Sequence, residues 1–479
     1  MPATRRPRRP APAALSFLLA ALITLPLADS VFQIPIQVSD SLEAIVIGAQ
    51  HQSSWHLLTD SARFSSTTFR PMRYAQARVL LRSAAVTGLG DNTVFRAVHV
   101  ALMVTLVLLF LLAIRVRQWI DVAAFSIAFP TLIGIHTFVA MLQEAFPVNH
   151  YAEVGVCALA VFVLAQQRPR WFFPTIVCAL LAFALSVVES GVMVWVVAIG
   201  CAAAGMRGVT RSSVIAATLL IGAYLLVRHA LGISLPSIGD HSSGFGGTLY
   251  SPEELRQRFG AHPLGFIAYN AVGGLASLLF SEPRQGVYNL VIAWRTGDPH
   301  PVLLINLVSS LATTALLVWY GVTRLRGGRA AWSDSGRMFV VACAAMVANA
   351  ALNGAYIKDE IISIGGLFYA VAAFIAIRAL VEMMSRRSEV ASALIALLLM
   401  ADGGLWAFRA AGIHYILRDE AFKARNAWVE VLPADKRDDW PTDPQELAIT
   451  RRLRDEAIVR RVASPSSFMP HWAERYWIE

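Results

Sequence analysis

Long apolar runs recur along most of this 479-residue chain, separated by short polar breaks. The first extends from Ala11 to about Pro35, behind Arg5, Arg6, Arg8 and Arg9. Others cover 93–114, 119–140, 151–167, 171–188, 191–205, 213–233, 263–282, 301–320, 338–356, 360–381 and 390–408. About 20 apolar residues suffice to cross a bilayer as a helix, so the pattern predicts an all-α polytopic membrane protein. The first run is longer than the apolar core of a secretory signal, and Leu27-Ala28-Asp29 is a weak cleavage context. It reads as a retained first helix that starts in the cytoplasm.

The breaks also have sides. Arg115 and Arg117, Arg168 and Arg170, and Arg207 and Arg211 fall in alternate breaks, which places all three pairs in the cytoplasm by the positive-inside rule. The 263–282 segment decides the remainder. If it spans, Arg324, Arg326, Arg329 and Arg337 fall outside, as do Arg386 and Arg387; if it does not, both groups return inside. The segment holds Asn270 and Gly273-Gly274 between Pro263 and Pro283, so it reads as re-entrant or interfacial. About eleven spanning helices result, within a range of ten to twelve. Residues 1–408 then form a transmembrane domain with outer loops at 37–92 and 234–300. Residues 409–479 form a polar, non-cytoplasmic extension; the opposite count leaves it in the cytoplasm.

Composition agrees. Only 15% of residues are charged and mean hydropathy is +0.55, whereas soluble chains are about 25% charged. The last 71 residues hold twelve acidic and twelve basic groups, so the net charge of +9 belongs to the first 408. Basic residues sit between apolar runs, with no zinc-finger spacing or aromatic-basic platform, which argues against nucleic acid as a partner. Cys157, Cys178, Cys201 and Cys343 lie in apolar stretches and read as small buried hydrophobes.

Candidate chemistry gathers at the outer boundary. Asp40 follows the first helix, and Glu43 lies on the same face if the helix continues. A carboxylate there can take a proton from an acceptor hydroxyl or orient a divalent metal, although a solvated helix boundary is the plainer reading of Asp40. Arg70 and Arg73 introduce an amphipathic surface helix over about Arg73–Ala85 and suit a phosphate or lipid headgroups. Glu144 and His150 flank the next outer turn. Glu189, in a turn with almost no loop, is held at the membrane surface, where an ionisable residue is costly. Lys358 is an outer cation suited to a lipid phosphate, beside Asp359 and Glu360. His136, inside an apolar helix, reads as packed or pore-lining. The glycine-rich Gly239–Gly247 stretch lacks nucleotide-binding spacing.

Asp40 after the first helix, Phe69-Arg70-Pro71-Met72 before a surface helix, Val94-Phe95-Arg96-Ala97-Val98-His99 and the Glu189-Ser190-Gly191 turn together resemble the polytopic GT-C glycosyltransferases. The likeness covers roughly the first 200 residues; the later half agrees only in general layout. It implies a GT-C-like fold and transfer of a sugar from a polyprenyl- or dolichyl-phosphate donor to a glycan, lipid or protein acceptor at the outer face. Asp40 matches the acidic residue that activates the acceptor or lies beside a metal, which brings in a divalent cation (Mg or Mn). Many members have two adjacent acidic residues there, whereas this chain has Asp40-Ser41-Leu42-Glu43. Glu43 and Glu189 join Asp40 as catalytic candidates; Arg70, Arg73, Glu144, His150 and Lys358 are substrate-binding candidates.

Two other readings stay open. An O-antigen polymerase or ligase uses arginines of a large outer loop, and Arg256, Arg258, Arg284 and Arg295 supply them here. A transporter or flippase of lipid-linked saccharides needs ionisable groups near the midplane, whereas the carboxylates here sit mostly at the outer boundary. The absence of a retention signal and of glycosylation-rich loops points to a bacterial inner membrane.

Overall fold

The computed structural model describes residues 11–38, 40–50, 57, 69–143, 148–233, 250–260, 264–280, 286–297, 301–327, 333–352, 354, 357–384, 386–430 and 443–469. Among the described residues every regular element is a helix. Helix α1 (Ala11–Gln33) leads to two shorter helices, α2 (Asp40–Gln50) and α3 (Pro71–Thr87), and then to α4 (Asp91–Ile114). Pro71 at the first helical position explains why α3 starts immediately after Arg70.

Next come α5 (Trp119–Gly134) and α6 (His136–Gln143), bent 58° from each other. The carbonyl of Gly134, at the break, accepts a hydrogen bond from Arg409 Nε at 3.1 Å. A side chain entering the backbone ladder is a recognised cause of such a kink. The chain continues through α7 (His150–Ala165), α8 (Phe173–Val187), a single 3-10 turn at Glu189–Gly191, α9 (Val192–Ala203) and α10 (Arg211–Ala230). A second bent pair, α11 (Pro252–Phe259) and α12 (Leu264–Phe280), precedes α13 (Gly286–Thr296). Long helices finish the bundle: α14 (Pro301–Arg326), α15 (Asp334–Leu352), α16 (Asp359–Met384) and α17 (Glu389–Glu430). Last is α18 (Pro444–Val459).

This is a multi-pass membrane protein. Seven of the described helices are long and apolar enough to cross a bilayer, or up to nine if each bent pair is one span. The expected count of about eleven also takes in three shorter helices. The segments predicted at 151–167, 171–188 and 191–205 form helices of 16, 15 and 12 residues, shorter than a single crossing of roughly 20, although they join the end that holds Arg168 and Arg207 to the Glu189 turn.

Helix α16 is the central one. Of its apolar window 78% is buried, against at most 44% for the other six unbroken spans. Lipid tails are as apolar as leucine, so close backbone approach, not hydropathy, holds such a helix in the middle. Gly366 provides it, since a Cβ there would lie 2.1 Å from Thr137 Oγ1.

The arginine clusters gather at one end. Arg337 shares a cavity with Arg115, Arg168 and Arg207, and Arg378 shares another with Arg115 and Arg117. With α10 and α14 each crossing once, the α11–α12 pair adds no net crossing between Arg207 and Arg337. Helix α12 instead packs among its neighbours, where Asn270 Nδ2 donates to Gly354 O (3.0 Å) and Leu279 O accepts from Thr314 Oγ1 (2.6 Å).

At the opposite end, α2, α3, the start of α4, α17 and α18 enclose a second hydrophobic core. It includes Ile36, Ile45, Leu80, Phe95, Trp428 and Leu453. Helix α17 has 42 residues and at 1.5 Å per residue is about 60 Å long, twice a bilayer's hydrocarbon thickness. It therefore carries the chain past the 408/409 boundary without a break. Glu456 then accepts from the backbone N–H groups of Asp91 (3.1 Å) and Asn92 (3.0 Å), and Arg452 pairs with Asp91 at 2.7 Å. The C-terminal segment lies at the same end as the first loop.

Candidate functional site

The turn between α8 and α9 is set by close packing. A Cβ on Gly191 would lie 2.3 Å from the Ala184 carbonyl carbon, so only glycine permits the chain to fold back so tightly. The turn fixes Glu189 beside Arg70, which lies 119 residues earlier in the chain. Arg70 Nε and Nη2 both donate to Glu189 Oε2, at 3.0 and 2.8 Å. The other carboxylate oxygen faces Arg228 Nη1 at 3.5 Å. Arg228 also donates to the Tyr224 hydroxyl (3.1 Å), whose ring lies 6.0 Å from that of Phe69.

Burial pushes the Glu189 carboxyl up, but the charge and hydrogen bonds of Arg70, with Arg228 behind them, outweigh it and hold its pKa below the ordinary glutamate value. Burial opposes the charge on Arg70 too, and Glu189 more than restores it, leaving the Arg70 pKa raised. One carboxylate thus serves two guanidinium groups. The cluster sits at a partly open position: the side chains of Arg70 and Glu189 are each 27% exposed.

Arg73 and His150 join this cluster from below. Both are buried, and the Arg73 and Arg70 charges act on His150. His150 Nδ1 lies 3.3 Å from Glu153 Oε2, and Gln76 donates to the other Glu153 oxygen. Asn149 caps α7 through the Ala152 N–H (3.0 Å) while its amide donates to Ala140 O (3.0 Å), tying α6 to α7. Arg70, Arg73, His150 and Glu189 are therefore neighbours.

The other candidates are placed differently. Asp40 is the first residue of α2, and its side chain lies outside what is described. Glu43 is exposed on the same helix. Glu144 lies outside the described residues, as do the 239–247 stretch and Arg284. Lys358 sits immediately before α16, next to Asp359, whose Oδ1 is 3.6 Å from His136 Nε2. The four cysteines are free. Among the described residues no three His, Cys, Asp or Glu side chains converge on a possible metal position.

The segment that leads to Asp40 is held from several directions. Arg96 donates to the carbonyls of Ile34 (2.5 Å) and Pro35 (2.8 Å), and Asn92 Oδ1 accepts from the Ile36 N–H (2.6 Å). Trp428 Nε1 donates to Ile36 O (2.5 Å). The Val94–His99 motif is thus a bracket for the α1–α2 corner, with His99 bonded to Arg96 (3.2 Å) and to Met141 O (3.0 Å).

Several functional candidates escaped the sequence reading. Arg228 and Glu153 each lie within an apolar segment, and an ionisable group there was itself the signal. A further polar network is buried between α14 and α17. Asp402 accepts from Thr313 Oγ1 (3.0 Å), which accepts from Trp406 Nε1 (2.9 Å), and the Arg409 guanidinium stacks 4.0 Å from the Trp406 ring. Asp402 and Arg409 are two helical turns apart, a spacing visible in the sequence. Comparisons with protein-family models, curated proteins and solved structures found no match to this chain.

Proposed function

We propose that this protein is a membrane glycosyltransferase that takes a sugar from a polyprenyl-phosphate donor and passes it to a glycan, lipid or protein acceptor. The reaction lies at the end of the bundle opposite the arginine clusters, the non-cytoplasmic face of a bacterial inner membrane by the positive-inside rule. The observation that carries the reading is the Arg70–Glu189–Arg228 cluster. Two guanidinium groups share one carboxylate there, at the bundle end that also bears the Asp40 helix.

In this reading Glu189 is a positioning residue. It stays ionised and holds Arg70 and Arg228 in place, with their guanidinium groups toward the donor phosphate. Arg73 lies behind them. Asp40 is the general base. Its carboxylate takes the acceptor hydroxyl proton as the acceptor oxygen bonds to the anomeric carbon. The bond from that carbon to the phosphate oxygen breaks, and the lipid phosphate leaves with the electron pair and the charge. Attack opposite the leaving group inverts the anomeric centre. A divalent cation beside Asp40 remains an expectation of the resemblance.

The test is reconstitution of the full chain in liposomes with a polyprenyl-phosphate sugar carrying label in the sugar, together with an acceptor pool from the same membrane. Label should move to acceptor as polyprenyl phosphate appears. Asp40→Asn, folded and equally abundant, should lose about 10²–10⁴-fold of the rate, the usual contribution of a general base. Full activity in that variant sinks the assignment of Asp40. Movement of intact donor across the bilayer without its consumption favours the flippase reading instead.

A further inference from the structure

At the basic end of the bundle, two adjoining cavities of about 200 and 270 Å³ share Arg115, Asp334 and Met338. Arg168, Arg207 and Arg337 complete the charged lining of the first; Arg117 and Arg378 belong to the second. Six guanidinium groups thus face two carboxylates, and one of the two is already committed. Asp121 pairs with Arg378 at 2.6 Å and accepts the N–H groups of Arg117 and Gln118, both at 2.8 Å, to cap α5. Asp334 remains as the acidic member of the first lining, against four arginines.

Two of those arginines are held by backbone carbonyls. Arg337 Nη1 donates to Gly205 O at 3.0 Å and Arg115 Nη2 donates to Gln166 O. Arg115 ends α4 with φ at +53°, a left-handed conformation that L side chains other than asparagine and aspartate seldom adopt. Burial and the neighbouring Arg117 push its pKa down in spite of Asp334, as expected where positive charge is in excess. The second cavity also has an apolar wall of Ile114, Met338, Phe374 and Ile375, so the pair offers fixed cations on one side and hydrocarbon on the other.

We infer that these cavities form a binding site for the phosphate of an anionic phospholipid from the leaflet at the basic end, with an acyl chain along the Phe374–Ile375 wall. Guanidinium groups suit phosphate oxygens because their planar N–H forks can engage two at once. Basic pockets between transmembrane helices are a physical route to lipid-specific recognition. The site lies at the far end from Arg70 and Glu189, and the inference stands apart from the proposed transfer reaction.

The test uses the full chain in phosphatidylcholine nanodiscs, with and without phosphatidylglycerol. The readouts are the thermal unfolding midpoint and the lipids retained in native mass spectrometry. Phosphatidylglycerol should raise the midpoint and remain bound. Arg207→Gln/Arg337→Gln should lose both effects, whereas Arg326→Gln/Arg387→Gln, with the same change of charge outside the cavity linings, should keep them. Arg168→Gln, at an exposed lining position, gives a milder variant if the double one fails to fold, and should weaken retention. An equal response in all variants, or no response in the unaltered protein, overturns the site. So does an equal shift from inorganic phosphate in phosphatidylcholine alone, which would make it a site for soluble phosphate.

Discussion

Arg70 places two of its nitrogens on a single oxygen of Glu189, leaving the second oxygen to face Arg228. The loop before α3, the α8–α9 turn and the end of α10 are joined by that one carboxylate. Arg70→Ala and Glu189→Ala should therefore each destabilise the protein, and their effects should not add. Breaking a buried pair costs about 3–5 kcal/mol, and the partial exposure of this pair reduces the expected loss to about 1–3 kcal/mol. A double-mutant cycle on unfolding in nanodiscs should give a coupling of about 1–2 kcal/mol. A coupling near zero would make the contact energetically idle.

The pH response follows from the same pair. The Glu189 pKa lies below its ordinary value of 4.5, so the carboxylate binds fewer protons in the folded than in the unfolded protein. Its stabilising effect is fully present above 4.5 and is lost as pH falls through the lower folded value. Between about pH 5 and 8, this contribution should be flat. Glu189→Gln should remove it at neutral pH and flatten the acid limb of the unfolding midpoint. An acid limb unchanged in that variant would show that other carboxylates set it.

Much of this was legible in the chain, and the reasons for the rest are physical. Apolar length located the helices: 93–114 became Asp91–Ile114, and 360–381 became Asp359–Met384. Glu189 stood out because a carboxylate between two apolar runs has nowhere else to go. Its partner Arg70 was identified independently, as a candidate phosphate ligand, but hydropathy holds no record of which distant segments meet. Arg228 is hidden in the last turn of an apolar run, and hydropathy ends the last apolar run near Arg409 because the charge begins there. That helix continues because Arg409 is satisfied internally, by Gly134 O, Ser309 Oγ and the Trp406 ring. Periodicity alone also could not identify α16 as central, since every crossing helix is apolar.

Gly191→Ala tests the turn that positions Glu189. The added Cβ would overlap the Ala184 carbonyl carbon, and backbone cannot swing aside as a side chain can. Overpacking of this kind costs about 1–3 kcal/mol, occasionally more. The unfolding midpoint should fall, and any transfer activity should fall further than stability alone explains, because Glu189 and Arg70 would no longer meet. Gly222→Ala, at a position inside α10 with nothing within 4 Å of the new Cβ, should leave activity unchanged and should not lower the midpoint.

In the C-terminal segment, Glu456 holds the start of α4 with both carboxylate oxygens. One accepts the Asp91 N–H; the other accepts the Asn92 N–H and the Asn92 amide at 3.1 Å. The same Asn92 side chain accepts from Ile36 N–H, so the tie runs from α18 through α4 to the corner before Asp40. Glu456→Ala leaves those groups with neither carboxylate nor backbone partner, at about 1–3 kcal/mol. The loss should be local: hydrogen exchange should accelerate at Ile36 and Asn92–Phe95 while the amides of α16 keep their protection. If the proposed reaction uses Asp40, transfer should slow in this variant although Glu456 touches no substrate, and Glu456→Gln should recover only part of it, because its single amide oxygen can accept the groups of one carboxylate oxygen while its NH2 faces a donor. Uniform acceleration across the bundle would instead mean that the C-terminal segment stabilises the whole fold and has no particular hold on the Asp40 corner.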